Sequence, residues 1–169
     1  VGKGEFVGVI GPNGAGKTTL MNLITGYMPP TSGDVLFEGN SLARLAPYQI
    51  SHRGIGRTFQ VVRPFSEMSV EDNVMTGALF SGHRAGTLAK AREAAQLPME
   101  LTGLTGKRNV MAGTLTLGEK KKLELARALA TSPRLLLLDE VMGGVNRGEV
   151  DELMLVLQRI HAAGVTIVM

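Results

Sequence analysis

The sequence contains no cysteine, few aromatic residues and no long apolar run. The absence of cysteine excludes disulfide bonds and metal sites built from thiolates. No apolar stretch approaches the roughly 18 residues that a membrane-spanning helix requires. Aromatic residues make up only 4% of the chain, and none lies within its densest basic run, residues 120–122. That run therefore fits a solvated helix face better than a nucleic-acid surface.

The residues that are present favour one folded domain with a buried core. The chain has 169 residues, of which 44% are hydrophobic, and its mean hydropathy is +0.12. A length of this order is sufficient for a single core, and the composition suits a buried α/β sheet rather than a disordered chain. The formal net charge of +3 is small.

A glycine-rich segment, GPNGAGKTT, connects a predicted strand to a predicted helix. This context distinguishes a phosphate-binding P-loop from a glycine-rich turn that happens to contain a lysine. We expect Lys17 to reach the β- and γ-phosphates of a nucleotide and the Thr18 hydroxyl to bind Mg²⁺. The backbone of such a loop wraps the polyphosphate. The predicted binding residues are Gly11, Pro12, Asn13, Gly14, Ala15, Gly16, Lys17, Thr18 and Thr19.

Two acidic residues, Asp139 and Glu140, follow an uninterrupted run of leucines. Such a run is typical of a central strand in a parallel sheet, and its carboxyl end is where such sheets bind ligands. We expect Asp139 to act on Mg²⁺, directly or through water, and Glu140 to accept a proton from an attacking water. The alternative is an acidic pair that only caps the following turn.

Strand and helix patterns alternate along most of the chain. The spacing of apolar residues, capping residues and turn residues predicts these elements. The predicted strands are 5–10, 34–38, 54–58, 134–140 and 165–169. One predicted helix follows the P-loop, and others cover 47–52, 88–96, about 116–130 and 149–162. A further helix is predicted to begin after Ser69. Pro98 is predicted to interrupt the helical pattern after 88–96.

The order of four motifs resembles that of an ABC-transporter ATP-binding domain. The motifs are the P-loop, RTFQ at 57–60, LTLGEKKKLELARAL at 115–129 and LLLLDE at 135–140. Within that superfamily, residues 54–60 and 63–70 look like the branched-chain amino-acid importer ATPases. The resemblance implies an α/β fold: a P-loop NTPase with a mostly parallel sheet flanked by helices and an inserted helical subdomain.

The resemblance also implies roles for residues outside the P-loop. Gln60 matches the glutamine that senses Mg²⁺ and γ-phosphate, so Thr18, Gln60 and Asp139 are the predicted metal site. Residues 115–119 match the signature motif, whose hydroxyl, glycine and helix N-terminus form an anion site. Its Thr116, Gly118 and Glu119 are predicted to bind the ATP of a second subunit in a head-to-tail dimer. The predicted catalytic residues are Glu140, Lys17 and Gln60.

Several positions depart from the family pattern. Leu117 stands where glycine or a variable residue is usual, Glu119 replaces glutamine, and Val141 replaces the proline after Glu140. Asn146 occupies a position that is often aspartate, and Arg147 one that is often proline. The family's adenine-stacking aromatic and switch histidine would lie outside residues 1–169. The three histidines, His52, His83 and His161, are accordingly assigned no catalytic role.

The predicted organisation is one ABC ATP-binding domain, interpreted as truncated, over 1–169. About 1–64 and 114–169 form its α/β core, and about 65–113 form its helical subdomain. The interpretation as a truncated domain rests on a first residue other than methionine and on an end within a predicted strand. The helical subdomain is expected to dock on a membrane subunit through Phe65, Met68, Val74 and Met75.

The resulting hypothesis is the energy-coupling subunit of an importer for branched-chain or other amino acids. It predicts ATP and Mg²⁺ as cofactors and a second ATPase subunit and transmembrane permease subunits as partners. No nucleic acid is expected, and the permease alone would connect the chain to the cytoplasmic face of the membrane. The alternative is a soluble ABC-type ATPase acting on nucleic acid or ribosomes, which the absence of heptads and cysteines disfavours. A non-hydrolysing regulator is disfavoured because Lys17, Asp139 and Glu140 are intact.

Overall fold

The computed structural model describes residues 1–82 and 85–169, so His83 lies outside the described residues. The strands of the described part are β1 (Phe6–Val7), β2 (Leu36–Phe37), β3 (Asn40–Ser41), β4 (Ile55–Arg57), β5 (Leu135–Leu137) and β6 (Thr166–Val168). Its α-helices are α1 (Lys17–Ile24), α2 (Pro47–His52), α3 (Val70–Leu79), α4 (Leu88–Leu101), α5 (Leu117–Leu129) and α6 (Arg147–Ala162). None of these helices is long and apolar enough to cross a membrane.

Four parallel strands form the main sheet, in the order β1-β6-β5-β4. Leu136 of β5 is in register with Gly56 on one side and with Ile167 on the other. Strands β2 and β3 form a separate antiparallel hairpin. The predicted α/β fold with a parallel sheet is therefore confirmed, and the carboxyl ends of its strands meet at one edge.

Apolar residues cover both faces of the sheet. Because side chains alternate along a strand, neighbouring residues of β5 enter different cores. Leu136 packs with Leu153 and Leu157 of α6. Leu137 packs with Met21 of α1 on the opposite face, in a cluster that also includes Ile50 of α2. The sheet is thus a central layer between helices, as the uninterrupted leucine run predicts.

A third core joins α3 and α4 to one side of α5. Ala91 and Ala95 of α4 are completely buried in it, and their small side chains allow the helices to lie close together. Val74 and Met75 of α3 are 0% and 4% exposed and belong to the same core. The prediction that they form a docking surface is therefore wrong: their positions on α3 turn them towards α4 and α5. Phe65 is exposed, and Met68 is half-buried.

Side-chain caps set the starts of α3, α5 and α6, three of the helices that have such caps. Ser69 accepts a hydrogen bond from the backbone N–H of Asp72 at 3.0 Å, which confirms the predicted start of α3. Thr116 and Glu119 form a capping box at α5, as predicted. Helix α6 begins at Arg147, before the predicted residue 149, because Asn146 and Glu149 form a second capping box there.

Helix α4 continues through Pro98 to Leu101, whereas the sequence pattern predicted an interruption. A proline inside a helix removes one backbone donor and usually breaks the helix. Here Pro98 lies in the last turn, where few further backbone bonds depend on it. Its carbonyl accepts both the backbone N–H of Thr102 at 3.2 Å and the Thr102 hydroxyl at 2.8 Å. The backbone bond is the ordinary one between residues four apart in a helix, so helical bonding continues past the proline to the end of α4.

The crossing of α3 and α5 depends on a glycine. A Cβ atom at Gly77 would lie 2.3 Å from the carbonyl oxygen of Arg127 and 3.0 Å from Cβ of Ala130. The first of these is a backbone atom and cannot move without displacing α5. Gly77 therefore allows α3 to pack closely against α5. Helix α5 belongs both to the core formed with α3 and α4, called the helical core below, and to the core on the sheet.

We predict that Gly77→Ala lowers the free energy of unfolding by about 1–3 kcal/mol, because overpacking forces the two backbones apart. Urea denaturation monitored by circular dichroism measures the change. Gly106→Ala is the matched control, since a Cβ atom at that exposed glycine meets nothing within 4 Å. Equal stability of the two variants would contradict the importance of this crossing.

Candidate functional site

The loop that contains residues 11–16 joins the carboxyl end of β1 to α1, and Lys17, Thr18 and Thr19 form the first turn of that helix. Gly16 precedes the helix with φ of 88° and ψ of 9°, in the left-handed region that glycine adopts without strain. Helices α3, α4, α5 and α6 have side-chain caps, whereas α1 has neither such a cap nor an acidic residue in its first turn. The first N–H groups of α1 are therefore suited to bind an anion.

Lys17 is held against the loop by hydrogen bonds from its Nζ atom. The ammonium group donates to the carbonyl of Gly11 at 2.7 Å and to that of Pro12 at 2.9 Å. The backbone N–H of Ala15 also donates to the Pro12 carbonyl, at 3.2 Å, which closes the turn. An ammonium has three donors, so Lys17 can hold the loop and still donate to a phosphate oxygen.

Asp139 lies beside the first turn of α1, although the two are far apart in sequence. It lies two residues beyond the end of β5 and is 7% exposed. Its Oδ1 atom accepts a hydrogen bond from the Thr18 hydroxyl at 3.4 Å. The structure thus brings together two of the three residues of the predicted metal site.

The oxygen atoms of Thr18 and Asp139 are suitable ligands for Mg²⁺. Magnesium prefers oxygen donors in an octahedral shell, in which neighbouring ligands lie about 3 Å apart. The separation of 3.4 Å is near this value. No group of three or more His, Cys, Asp or Glu residues that could hold a metal occurs among the described residues. The oxygen pair of Thr18 and Asp139 fits a magnesium ion that would take its remaining ligands from phosphate oxygens and water.

Gln60 contacts Glu140 rather than the other two residues of the predicted metal site. Its Nε2 atom donates to Oε2 of Glu140 at 2.6 Å, and both residues are exposed. Glu140 has φ of 49°, which is unusual for a residue with a side chain. Its carbonyl accepts hydrogen bonds from the N–H of Gly143 at 3.0 Å and from Nζ of Lys121 at 3.4 Å. These bonds secure the turn that presents the Glu140 carboxylate.

Lys121 was not singled out from the sequence, where it is one of three adjacent lysines. The structure buries it to 3% exposure, and this burial lowers its pKa from the ordinary value of 10.5. The only signal in the sequence was its position on the inner face of α5, next to the apolar Leu125 one turn later. Lys121 thus supports the turn after β5 and is not part of a solvated basic face.

Arg57 is a second residue that sequence reasoning did not assign to the site. It ends β4, next to β5, and its Nη2 atom forms an ion pair with Oδ2 of Asp139 at 3.0 Å. Its Nη1 atom donates to Asn22 at 2.8 Å and to Thr25 at 2.9 Å, which lie at the end of α1. The available signal was a basic residue at the end of a strand that pairs with the strand of Asp139.

The signature residues Thr116, Gly118 and Glu119 form a separate group at the start of α5. The Glu119 carboxylate accepts a hydrogen bond from the backbone N–H of Thr116 at 3.0 Å and forms an ion pair with Lys107. The hydrogen bond from Lys107 lowers the pKa of Glu119 from 4.5. A Cβ atom at Gly118 would lie 2.6 Å from Oε1 of Glu149, so α5 and α6 begin side by side.

A groove with a volume of about 790 Å³ runs from Asp139 and Gln60 to the helical core. Phe65 and Phe80 are exposed in it, at 47% and 76%. The Arg127 guanidinium covers the ring of Phe65 at 4.6 Å. The groove therefore presents apolar and aromatic surface directly beside the polar groups of the site.

Glu124 connects the wall of this groove to the segment that carries Gln60. Its carboxylate accepts a hydrogen bond from the backbone N–H of Phe59 at 2.7 Å. Burial raises the pKa of Glu124 above its ordinary value of 4.5, although this hydrogen bond and the charges of Arg127 and Lys121 act in the opposite direction.

Sequence comparisons relate the chain to transport proteins. A family model described as ABC transporter matches residues 1–143. The high-affinity branched-chain amino acid transport ATP-binding protein LivG of Escherichia coli (strain K12) is 40% identical over 174 residues. That alignment covers 93% of this chain and 68% of LivG.

Solved structures with the same fold include two ATP-binding cassettes. The ADP conformation of MJ1267, from an ABC transporter, superposes with a TM-score of 0.86 at 33% identity, covering 99% of this chain and 70% of that one. The dimeric post-hydrolysis state of MJ0796 bound to ADP and Pi superposes with a TM-score of 0.84 at 25% identity, covering 99% of this chain and 75% of that one.

We predict that Glu124 makes stability depend on pH. Because its pKa is higher in the folded chain, its contribution is fully present below pH 4.5 and is lost as the pH rises through the folded-state pKa. Glu124→Gln keeps an oxygen acceptor for Phe59 but removes the titration. Relative to that variant, the wild type should lose stability as the pH rises above 4.5, as measured by urea denaturation at a series of pH values.

The control for this prediction is Glu100→Gln, at an exposed glutamate near the end of α4. It should follow the wild-type pH profile. A Glu124→Gln profile parallel to that of the wild type would contradict the role assigned to burial.

Proposed function

We propose that this chain, which belongs to the ABC transporter family, binds and hydrolyses ATP as the energy-coupling subunit of an amino-acid importer. The observation that supports hydrolysis is the convergence of two pairs at one edge of the sheet. The Thr18 hydroxyl lies 3.4 Å from Oδ1 of Asp139, and Nε2 of Gln60 lies 2.6 Å from Oε2 of Glu140. A phosphate loop, a metal-binding carboxylate and a proton acceptor are the parts that phosphoryl transfer to water requires.

Each of these groups has a distinct role in the proposed reaction. The N–H groups of the loop at 11–16 and the first turn of α1 bind the phosphate oxygens, and the Lys17 ammonium neutralises the β- and γ-phosphates. Thr18 and Asp139 would hold Mg²⁺, which when bound neutralises further charge on these phosphates. Glu140 accepts the proton of the attacking water. Gln60, which already donates to Glu140, orients that water.

A second ATPase subunit is the proposed partner at the signature residues. The relative MJ0796 is dimeric with ADP and Pi bound, and we infer that Thr116, Gly118 and Glu119 similarly face the nucleotide of a second subunit. The acidic Glu119 would repel a phosphate if it were unpaired. Its ion pair with Lys107 offsets this charge, so the start of α5 remains suited to an anion.

Permease subunits are the other proposed partners, and branched-chain amino acids are the proposed substrates. LivG is named for transport of these amino acids, and the groove from Phe65 to Phe80 offers a surface for a membrane subunit. An apolar patch with a polar rim is typical of such interfaces. The chain would then lie on the cytoplasmic face of the membrane through its permease. The alternative of an ATPase acting on nucleic acid or ribosomes has no support from these relatives.

Two substitutions should separate binding from turnover. Lys17→Ala should weaken ATP binding by about 10-fold or more, because a charge-assisted contact to the phosphates is lost. Glu140→Gln should retain ATP binding but lower kcat by about 10²- to 10⁴-fold, because an amide cannot accept the proton. Binding is measured with a fluorescent ATP analogue and turnover by phosphate release from the transporter complex.

Lys90→Ala and Glu100→Gln, both at exposed positions of α4, are the matched controls and should behave as the wild type. Wild-type affinity in Lys17→Ala would overturn the loop assignment. Wild-type turnover in Glu140→Gln would show that another group accepts the proton.

The absence of cysteine from the chain permits a direct test of the docking surface. We predict that Phe65→Cys and Phe80→Cys, each the only thiol of its variant, form crosslinks to a permease subunit in the assembled transporter. Leu155→Cys is the control, at an exposed position on α6, and should form none. Crosslinking from position 155 alone, followed by mass spectrometry, would place the interface on α6 and contradict the proposal.

A further inference from the structure

Arg57 has a buried position that its place in the sequence does not explain. It is the last residue of β4, and its side chain is 6% exposed, next to an Asp139 side chain that is 9% exposed. Burying a guanidinium is costly unless hydrogen bonds and an opposite charge compensate for the lost hydration. The contacts of Arg57 therefore show which groups compensate for its burial and which parts of the site it holds together.

The first contact divides the Asp139 carboxylate between two partners. Oδ2 accepts from Nη2 of Arg57 at 3.0 Å, while Oδ1 lies 3.4 Å from the Thr18 hydroxyl. A carboxylate can rotate about its last side-chain bond, whose torsional preference is weak. The bond to Arg57 holds one oxygen in place, so the other oxygen points towards the first turn of α1.

The second set of contacts joins the same guanidinium to the end of α1. Nη1 of Arg57 donates to Oδ1 of Asn22 at 2.8 Å and to the hydroxyl of Thr25 at 2.9 Å. Thr25 in turn donates to the carbonyl of Met21 within the helix, at 2.7 Å. The helix that begins with Lys17 and Thr18 is thus fixed to the carboxylate through one planar group.

Two aromatic rings restrict the guanidinium further. Its central carbon lies 5.0 Å from the ring centre of Phe59 and 5.8 Å from that of Tyr27. The rings contact each other edge to face at 5.7 Å. Phe59 directly precedes Gln60, so the same guanidinium contacts elements that carry Thr18, Asp139 and Gln60.

We propose that Arg57 is a positioning residue for the metal and phosphate site: it orients the Asp139 carboxylate and fixes it relative to the first turn of α1. This inference rests on the proposed function, because it assigns Arg57 a role in binding Mg²⁺ with ATP. A planar guanidinium suits the role because it forms two directed bonds at once. The donors of an ammonium all lie on one compact nitrogen, which cannot replace the two separate nitrogens that bind Asp139 and Asn22 in this geometry.

The experiment compares ATP affinity with saturating Mg²⁺ and with EDTA, using a fluorescent ATP analogue and the purified full chain. The variants are Arg57→Gln, Arg57→Lys and Asp139→Asn, together with Arg57→Gln combined with Asp139→Asn. Arg134→Gln is the matched control, because Arg134 also covers a phenylalanine ring, that of Phe37 at 5.3 Å, and pairs with a glutamate, Glu38. It precedes β5, at the opposite end of the strand from Asp139.

We expect Arg57→Gln to weaken the Mg²⁺-dependent affinity by about 10- to 100-fold, the usual loss when the partner of a metal ligand is removed. The affinity in EDTA should stay at its wild-type value, because the loop and Lys17 bind the phosphates without the metal. Arg57→Lys should also lose affinity only when Mg²⁺ is present. In the Asp139→Asn background, Arg57→Gln should have no further effect, since the carboxylate through which it acts is gone. Arg134→Gln should match the wild type in both conditions.

Different outcomes would overturn the proposal in different ways. An equal loss with Mg²⁺ and with EDTA, in a variant whose thermal unfolding shows that it is folded, would mean that Arg57 only supports the fold. A tighter Mg²⁺-dependent affinity in Arg57→Gln would make Arg57 a competitor of the metal. If Arg57→Gln does not fold, wild-type behaviour of Arg57→Lys would exclude a need for the planar group. Failure of the wild type to bind ATP would instead contradict the proposed function itself.

Discussion

Parallel pairing of β5 with β4 on one side and β6 on the other is the constraint on which the candidate site depends. This register carries Asp139 past the end of β5 and Arg57 to the end of β4. Strand β1 pairs with β6, and the glycine-rich loop follows it at the same edge of the sheet. Groups that are more than a hundred residues apart, such as Thr18 and Asp139, meet because parallel strands end together.

Much of this arrangement could be predicted from the sequence because its determinants are local. The leucine run at 135–138 indicates a strand with both faces buried, and Leu136 and Leu137 do enter opposite cores. The capping box at Thr116 and Glu119 starts α5 where the pattern places it. The glycines of the loop at 11–16 require a backbone that few other residues adopt. Each of these signals lies within a few residues of the feature that it specifies.

The features that could not be predicted depend on contacts between distant segments. Val74 and Met75 are adjacent on α3, and only packing against α4 and α5 decides that both are buried. In the sequence, Pro98 predicts an interruption of the helix. In the structure, α4 continues past it, and the Pro98 carbonyl accepts two hydrogen bonds from Thr102. Arg57 and Lys121 resemble ordinary surface charges in the sequence, because their burial depends on the strands and helices that surround them.

The position of α5 has a mechanical consequence. Leu123 and Ala126 pack in the helical core, whereas Leu125 and Leu129 pack against the sheet, so one rigid helix is shared by both. At Gly77, α3 lies so close to the carbonyl of Arg127 that no side chain would fit between the two helices. A displacement of α3 would therefore have to be accommodated by α5. Because Thr116 caps the same helix, the groove beside Phe80 and the start of α5 are joined by one continuous element.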